Sequence, residues 1–265
     1  MNRPSVLAPA PRPGGASRAP LFGILWKILL FSALLAFSFP AFAQAPADGA
    51  ATAVLTADEW SALAAKAEKG NPEAEYQAGL IYFNGLGVPA DPELGLSYLA
   101  KAADHGVVAS QSFLGFLYER GVGVPQDYQR ALTYYGKAAR KDDPLALMGL
   151  AGIYFYGNGA PVDYKKAFGF FSRAAKKGEA LAQIMLGEMH EKGLGTAPNP
   201  QKAFASYLLA ADNPADDGYA LFIVAELYAS GANPAAPKDE AKAQEYYRRA
   251  ADKGFAGAAE RLTRP

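Results

Sequence analysis

The feature that most constrains this chain is a sequence pattern that returns every 36 residues. After Gly70 the chain reads NPEAEYQAGLIYFNGLGVPADPELGLSYLAKAADHG, and degenerate copies in register follow Gly106, Asp142 and Gly178. A fifth copy fits after two short insertions, near 216–217 and near 235–237. The columns in register are Tyr82, Tyr118, Tyr154 and His190; the glycine pairs 85/87, 121/123, 157/159 and 193/195; Asp91, Asp127, Asp163 and Asn199; and Tyr98, Tyr134, Phe170 and Ser206. Such self-similarity indicates a repeat architecture.

Each copy predicts a helix, a turn and a second helix. The first helix starts after a capping residue followed by proline, as in Asn71-Pro72, because the side-chain oxygen satisfies free N–H groups and proline tolerates the first helical position. It ends at the paired glycines, which can adopt the left-handed conformation that finishes a helix. The Asp/Asn column is placed to cap the second helix.

A single helix pair of this composition cannot bury its apolar surface, so neighbouring pairs must stack. Small residues such as Gly79, Ala102 and Ala103 allow close helix approach, and we expect Tyr82 and Tyr98 to fill the space between layers. The prediction is an all-α solenoid of antiparallel helix pairs. Its predicted parts are an N-terminal capping helix at 56–70, repeats at 71–106, 107–142, 143–178, 179–216 and 217–254, and a C-terminal capping helix at 255–265.

The first 43 residues have the pattern of a secretory signal peptide. Four basic residues are the only charges before Asp48, the apolar run ILLFSALLAFSF follows them, and an Ala-Phe-Ala motif ends at Ala43. We predict cleavage after Ala43, export to the periplasm or out of the cell, and a flexible linker at 44–55. The alternative is an uncleaved inner-membrane anchor with a periplasmic solenoid, since Leu21–Phe39 nearly spans ~30 Å of hydrocarbon.

The repeats resemble Sel1-like repeats, which are relatives of the tetratricopeptide repeat. The first copy matches the family pattern with Ala74, Gly79, Tyr82, Gly85, Gly87, Val88, Asp91, Tyr98 and Lys101-Ala102-Ala103. The later copies depart from it at Ala151 and Ala225 in place of glycine, His190 in place of tyrosine, and Thr196 in place of valine. The resemblance implies a right-handed superhelix that acts as a protein-binding scaffold or adaptor, and it implies no chemistry.

Composition excludes several functions. Lys+Arg 26 balances Asp+Glu 26, so the chain lacks the basic signature of nucleic-acid binding. It has no cysteine and two histidines, which leaves little material for a metal centre, and no serine precedes lysine by three residues as in serine β-lactamases. We therefore predict no catalytic, cofactor-binding or metal-binding residue. We expect His190 to be buried and hydrogen-bonded and His105 to be solvated.

The predicted function is a non-enzymatic scaffold in the bacterial cell envelope that binds a protein or peptide on its concave face. A cell-wall enzyme or glycan binder is the alternative, because some Sel1-repeat proteins are β-lactamase-like or penicillin-binding. Those relatives carry a disulfide in each repeat, which this chain cannot form. No nucleic acid is expected as a partner, and a membrane is expected only if residues 1–43 stay attached.

The candidate binding residues follow by analogy with tetratricopeptide repeats. They lie on the first helix of each unit, three before, one after and four after the recurring glycine, and this spacing places each triplet on one helical face. The candidates are Tyr76, Leu80, Phe83, Phe116, Glu119, Phe155, Glu188, Glu191, Phe222 and Glu226. This surface starts apolar and turns acidic along the chain. For Tyr76, Phe83 and Phe116 the alternative is packing against adjacent helices.

Overall fold

Most of the part of the chain that is described, residues 55–262 of a computed structural model, forms α-helices joined by turns. The predicted signal peptide at 1–43, and nearly all of the predicted linker at 44–55, lie outside the described residues. Within 55–262 the helices are α1 Ala57–Glu68, α2 Pro72–Asn84, α3 Pro92–Asp104, α4 Val108–Arg120, α5 Tyr128–Ala139, α6 Pro144–Tyr156, α7 Tyr164–Lys176, α8 Ala180–Lys192, α9 Pro200–Ala211, α10 Tyr219–Ser230, α11 Glu240–Asp252 and α12 Ala256–Leu262. None of these helices is both long enough and apolar enough to cross a bilayer.

Most helix starts follow the local capping chemistry: α2 and α6 begin after the predicted caps Asn71 and Asp143, whereas α4, α8 and α10 begin without a side-chain cap. Thr56 and Glu59 form a capping box at the start of α1, in which each side chain accepts the other residue's backbone N–H. Each second helix begins with a side-chain cap from the Asp/Asn column, as predicted. The capping residues are Asp91, Asp127, Asp163, Asn199 and Asp239. Sequence therefore sets where each second helix begins.

The helices α2, α4, α6 and α8 end at the first glycine of a pair, and α10 ends at Gly231, which has no second glycine two residues on. Gly85, for example, has φ 70° and donates its N–H to the carbonyl of Ile81. A left-handed residue lets the chain leave the helix while satisfying one of its last carbonyls. The second helices α3, α7 and α11 are each followed, one residue after the C-cap, by a left-handed glycine, and the turn after α5 instead has Asp142 at φ 55°.

Successive helices pack against one another along the chain, and the helices are paired as α2/α3, α4/α5, α6/α7, α8/α9 and α10/α11, hereafter repeats 1 to 5. The first helices α4 and α6 also touch each other. The predicted all-α solenoid is confirmed. The two insertions of repeat 5 fall in the turns that precede and follow α10.

The buried space between the helices is filled by a column that the sequence interpretation did not single out. Its members are Leu99, Tyr135, Phe171, Tyr207 and Tyr247, all on the second helices and almost fully buried. Tyr82 and Tyr98, which we expected in that place, are instead half-buried and stack on each other with ring centroids 5.9 Å apart. For Tyr98 the expectation was wrong because the next residue, Leu99, faces the first helix, where a Cβ at Gly79 would lie 2.8 Å from it. Tyr82 meets Trp60 of α1 edge to face, with ring centroids 5.2 Å apart.

Glycines in the first helices make room for this column. A Cβ atom at Gly115 would lie 2.5 Å from the ring of Tyr135, and one at Gly187 would lie 2.4 Å from the ring of Tyr207. Both distances are far below van der Waals contact, so any side chain there would displace the tyrosine. Glycine is therefore a packing requirement in repeats 2 and 4, whereas repeats 3 and 5 accommodate Ala151 and Ala225 at the same position, both fully buried.

Candidate partner-binding surface

The apolar end of the predicted surface is partly core. Tyr76 is 8% exposed and Leu80 is 7% exposed, and burial raises the pKa of the Tyr76 hydroxyl to about 12. These two side chains offer little area to a partner. Burial favours the packing alternative for Tyr76, and it places Leu80, for which no alternative was given, in the core as well.

A half-buried aromatic group lies farther along the same face. Phe83 meets Phe113 edge to face with ring centroids 6.0 Å apart, and Phe113 stacks on Phe116 at 6.4 Å. Phe83 also reaches the turn of repeat 2, where a Cβ at Gly123 would lie 2.7 Å from its ring. These rings pack between repeats and still expose part of their surface.

A second aromatic group surrounds Phe155 in repeat 3. Tyr156, Tyr164 and Phe171 contact it edge to face, with centroids 5.0, 5.4 and 6.2 Å away. Tyr156 and Tyr164 are among the exposed large apolar side chains of the described residues. The sequence analysis missed both because they lie at the end of α6 and the start of α7, outside the helix positions carried over by analogy. Aromatic residues flanking the paired-glycine turn were the available signal.

The acidic side chains of the surface are held by tyrosines of the buried column. The Tyr135 hydroxyl donates to Glu119 Oε2 at 2.7 Å, and the Tyr207 hydroxyl donates to Glu191 Oε2 at 3.1 Å. Tyr247 donates in the same way to Glu226. Each tyrosine therefore links the core to a carboxylate at the surface and fixes its position.

Local cations offset part of this acidity. Lys192 pairs with Glu188 one turn away, and Arg261 Nε lies 2.8 Å from Glu226 Oε1. Glu119 lies 3.7 Å from Arg120, yet burial raises the pKa of its carboxyl. Among the described residues, Glu191 has no cation within ion-pair distance, so it carries the least compensated charge of the four.

The remaining candidate, Phe222, lies at the C-terminal end of the described solenoid. Its ring packs against Phe255 at 5.0 Å and Tyr247 at 5.7 Å. It is half-buried by residues of α11 and by the residue that precedes α12. The exposed part of the Phe222 ring therefore belongs to the surface, and its contact with Phe255 helps to pack α12 against α10.

The histidines differ from their predictions in detail. His190 is buried against the ring of Phe168, as expected, but its Nδ1 makes no hydrogen bond with any described residue, so that expectation was wrong. Burial and the nearby Lys202 lower its pKa. His105 is largely exposed, and its Nδ1 lies 2.7 Å from the buried carboxylate of Glu75. Between residues 55 and 262, no three acidic or histidine side chains come together as a metal site.

Comparison with known proteins agrees with this architecture. The Sel1 repeat model matches residues 72–107, 108–143, 144–179, 180–214 and 218–255. The chain is similar to a protective antigen of uropathogenic Escherichia coli strains that displays an SLR fold, with 32% identity and a TM-score of 0.71 over 77% of this chain. It spans 43% of that antigen's length. It is also similar to a Sel1 repeat protein from Oxalobacter formigenes, with 29% identity and a TM-score of 0.71 over 77% of this chain and 82% of the other. No functionally curated protein matches it.

Proposed function

The chain belongs to the Sel1 repeat family, and from that premise we propose that it is a non-catalytic scaffold that binds a protein or peptide partner through its first helices. Sel1 repeats commonly mediate protein–protein interaction, and their proteins are generally non-catalytic. The observation that carries the proposal is the first-helix surface, where half-buried aromatic rings are followed by carboxylates anchored by tyrosines. Aromatic side chains are enriched in protein–protein interfaces.

We further propose that the scaffold works in the bacterial cell envelope, exported by residues 1–43. Support comes from the basic residues, the apolar run and the Ala-Phe-Ala motif. N-terminal sequencing of protein from fractionated cells tests this, and a chain starting at Gln44 in the soluble envelope fraction is the expected result. An intact N-terminus in the membrane fraction would favour the anchor, and protein retained in the cytoplasm would overturn export.

The binding role is tested in two steps. Affinity capture from the envelope fraction, followed by mass spectrometry, identifies the partner. Binding of that partner is then measured with Phe83→Ala/Phe116→Ala and with Glu188→Lys/Glu191→Lys. We expect each double variant to weaken binding by about tenfold or more, the effect of losing roughly 1.4 kcal/mol at an interface.

Two matched control variants show whether a loss of binding is specific to the first-helix surface or follows from any change in exposed apolar area or charge. Val122→Ala/Val162→Ala removes exposed apolar side chains from turns, and Glu245→Lys/Asp252→Lys reverses exposed charges on α11. Both controls should bind as the parent protein does. Unchanged binding by both test variants, with folding intact, would overturn the first-helix assignment.

The non-catalytic part of the proposal has its own test. The purified protein is incubated with peptidoglycan fragments and with a chromogenic β-lactam, beside a heat-denatured sample. We expect no turnover above that sample. Turnover that saturates with substrate would replace the scaffold proposal with the cell-wall enzyme alternative.

A further inference from the structure

Repeats 2, 3 and 5 share a four-part arrangement at the boundary between their two helices, which we term the ring stack. In repeat 3 the Asp163 carboxylate lies 3.4 Å from Lys166 Nζ, and that ammonium lies 4.8 Å from the ring centre of Tyr154. Tyr154 in turn stacks on Phe170 with centroids 6.0 Å apart. The equivalent sets are Asp127, Arg130, Tyr118 and Tyr134 in repeat 2, and Asp239, Lys242, Tyr228 and Tyr246 in repeat 5.

A second cation completes each of these stacks from the other side. Lys137, Arg173 and Arg249 lie over the second rings of repeats 2, 3 and 5. Each of them also pairs with an aspartate from the preceding junction, at N–O distances of 3.6, 2.7 and 3.5 Å. The second helix therefore presents cation, ring and cation at spacings of four and three residues, which places them on one face.

Repeat 4 keeps the helices but lacks these partners. Asn199 occupies the aspartate position, so Lys202 has no acidic partner among the described residues. Ser206 occupies the position of the second ring. Leu209 replaces the second cation and is 58% exposed, the most exposed of the large apolar side chains described.

The first-helix member of the stack is altered as well. His190 stands where the other repeats have tyrosine, and its buried Nδ1 is left without a hydrogen bond to any described residue. Buried polar atoms are rarely left unsatisfied in native proteins. Lys202, Ser206 and Leu209 share one face of α9 beside this histidine. Repeat 4 thus combines an uncompensated cation, a missing ring and an exposed apolar side chain at one position.

We propose that this gap in repeat 4 is a docking site for a partner segment that carries an aromatic side chain close to a carboxylate. The partner's ring occupies the place that Tyr134, Phe170 and Tyr246 fill in their own repeats. Its carboxylate pairs with Lys202, and the edge of its ring packs on Leu209. The segment thereby supplies the parts that the chain provides for itself in the complete stacks.

Charge and polarity select this occupant over others. A basic segment would be repelled by Lys202, and a purely apolar one would leave that ammonium unpaired. A carboxylate without a ring would leave Leu209 exposed and the stack incomplete. The residues that form the gap are not those of the first-helix surface, so either site can be disproved without affecting the other.

Nuclear magnetic resonance titration of the isotope-labelled protein, expressed from its full-length sequence, tests the docking site. The probe is the blocked peptide Gly-Asp-Tyr-Asp-Gly, and the matched peptides Gly-Asp-Ala-Asp-Gly and Gly-Asn-Tyr-Asn-Gly lack the ring or the charges. We expect saturable shifts confined to α9 and the His190 region with the first peptide. The alanine peptide should give no saturable shift, and the asparagine peptide should bind about two- to fivefold more weakly, the range for an exposed ion pair.

Two variants and one control complete the test. Ser206→Tyr restores the chain's own ring, so it should abolish peptide binding and raise the melting temperature. Lys202→Gln should weaken binding by the same factor as the asparagine peptide while leaving the fold unchanged. Ala205→Tyr, which adds a ring at the adjacent exposed position of α9, should bind as the parent does. Parent-like binding by Ser206→Tyr, equal binding of the alanine peptide, or no saturable shift with the parent protein would each overturn the proposal.

Sedimentation velocity distinguishes a partner protein from a second copy of the chain. We expect the sedimentation coefficient of the parent protein to match those of Ser206→Tyr and Lys202→Gln at every concentration. Concentration-dependent association that either variant abolishes would identify self-assembly as the use of the gap and would overturn the proposed occupant.

Discussion

Glu75 occupies a buried position at which two later repeats carry glutamine, and its carboxylate is accommodated by a different hydrogen bond. In two later repeats the equivalent residues, Gln111 and Gln183, donate Nε2–H to the carbonyls of Ala103 and Ala175. An ionised carboxylate cannot donate that bond. Glu75, 2% exposed, accepts instead from His105, and Asn213 contacts Gln183 from the corresponding position.

Glu75→Gln tests whether the glutamine pattern can be restored in repeat 1. The amide would donate to the carbonyl of Ala67 and still accept from His105, so we expect the free energy of unfolding to rise by about 0.5–1.5 kcal/mol, the net value of one hydrogen bond. Glu75→Ala removes the bond with His105 and should lower the free energy of unfolding by about 1–3 kcal/mol. Urea denaturation at neutral pH measures both, and a glutamine variant no more stable than the alanine variant would contradict the interpretation.

Glu119 gives the molecule a defined pH dependence. Burial raises the pKa of its carboxyl in the folded state, so the folded protein holds this proton more tightly than the unfolded chain does. The stabilising contribution of Glu119 is therefore complete in acid, below the unfolded pKa, and is lost as the pH rises through the raised native pKa.

Glu119→Gln mimics the protonated form at every pH and can still accept the Tyr135 hydroxyl. The free energy of unfolding of this variant minus that of the parent should be larger at about pH 7 than at about pH 4, because only the parent has a carboxyl to ionise at this position. Urea denaturation of both proteins at the two pH values gives the double difference. An identical difference at both values would show that Glu119 does not titrate in this range.

At the scale of the element, capping of the second helices is a separable contribution. The Asp239 carboxylate accepts the N–H of Lys242 at 3.0 Å, and Asn199 makes the same bond with Lys202 at 2.9 Å in repeat 4. Asp239→Ala should cost about 1 kcal/mol, and Asp239→Asn should cost much less because asparagine is an equally good cap. Thermal denaturation followed by circular dichroism compares them, and equal losses in the two variants would assign the effect to the Asp239–Lys242 ion pair instead.

Sequence predicts the helix ends well because caps and paired glycines act within a few residues. It predicts the interior less well. Tyr134 and Tyr135 are adjacent tyrosines, yet the first is half-buried in the ring stack and the second is fully buried beside Gly115. Which neighbour faces inward depends on how two helices rotate against each other, and local chemistry does not determine that rotation.

At the scale of the whole molecule, stability comes mainly from contacts between helices that are neighbours along the chain. Removing residues 144–179, one 36-residue period, should leave a folded protein with unchanged helical content per residue and a lower melting temperature, because stability is roughly a sum over repeats and their interfaces. Circular dichroism measures both quantities. Removing only residues 162–179, which deletes α7 alone, breaks the alternation and should abolish cooperative unfolding. Equal behaviour of the two deletions would contradict the additive picture.

The binding surfaces could be predicted from the sequence only in part, because they depend on how whole repeats pack together. The register predicts which columns line the first helices, but burial of Tyr76 and Leu80 depends on neighbouring repeats that one copy of the motif does not specify. The departures of repeat 4 at His190, Asn199 and Ser206 are visible in the sequence as isolated exceptions. Only their position together beside Lys202 and Leu209 makes them one feature.

Serial contact between successive helices also determines how this protein responds to tension. A pulling force applied at the two ends of the described solenoid is carried by each helix–helix interface in turn. Among the described residues, the extensive contacts link helices that are close along the chain, so distant repeats do not share the force. The chain should therefore lengthen like a spring at low load and yield in separate steps at high load, one helix pair after another. A partner held across several repeats would sense that stretching directly.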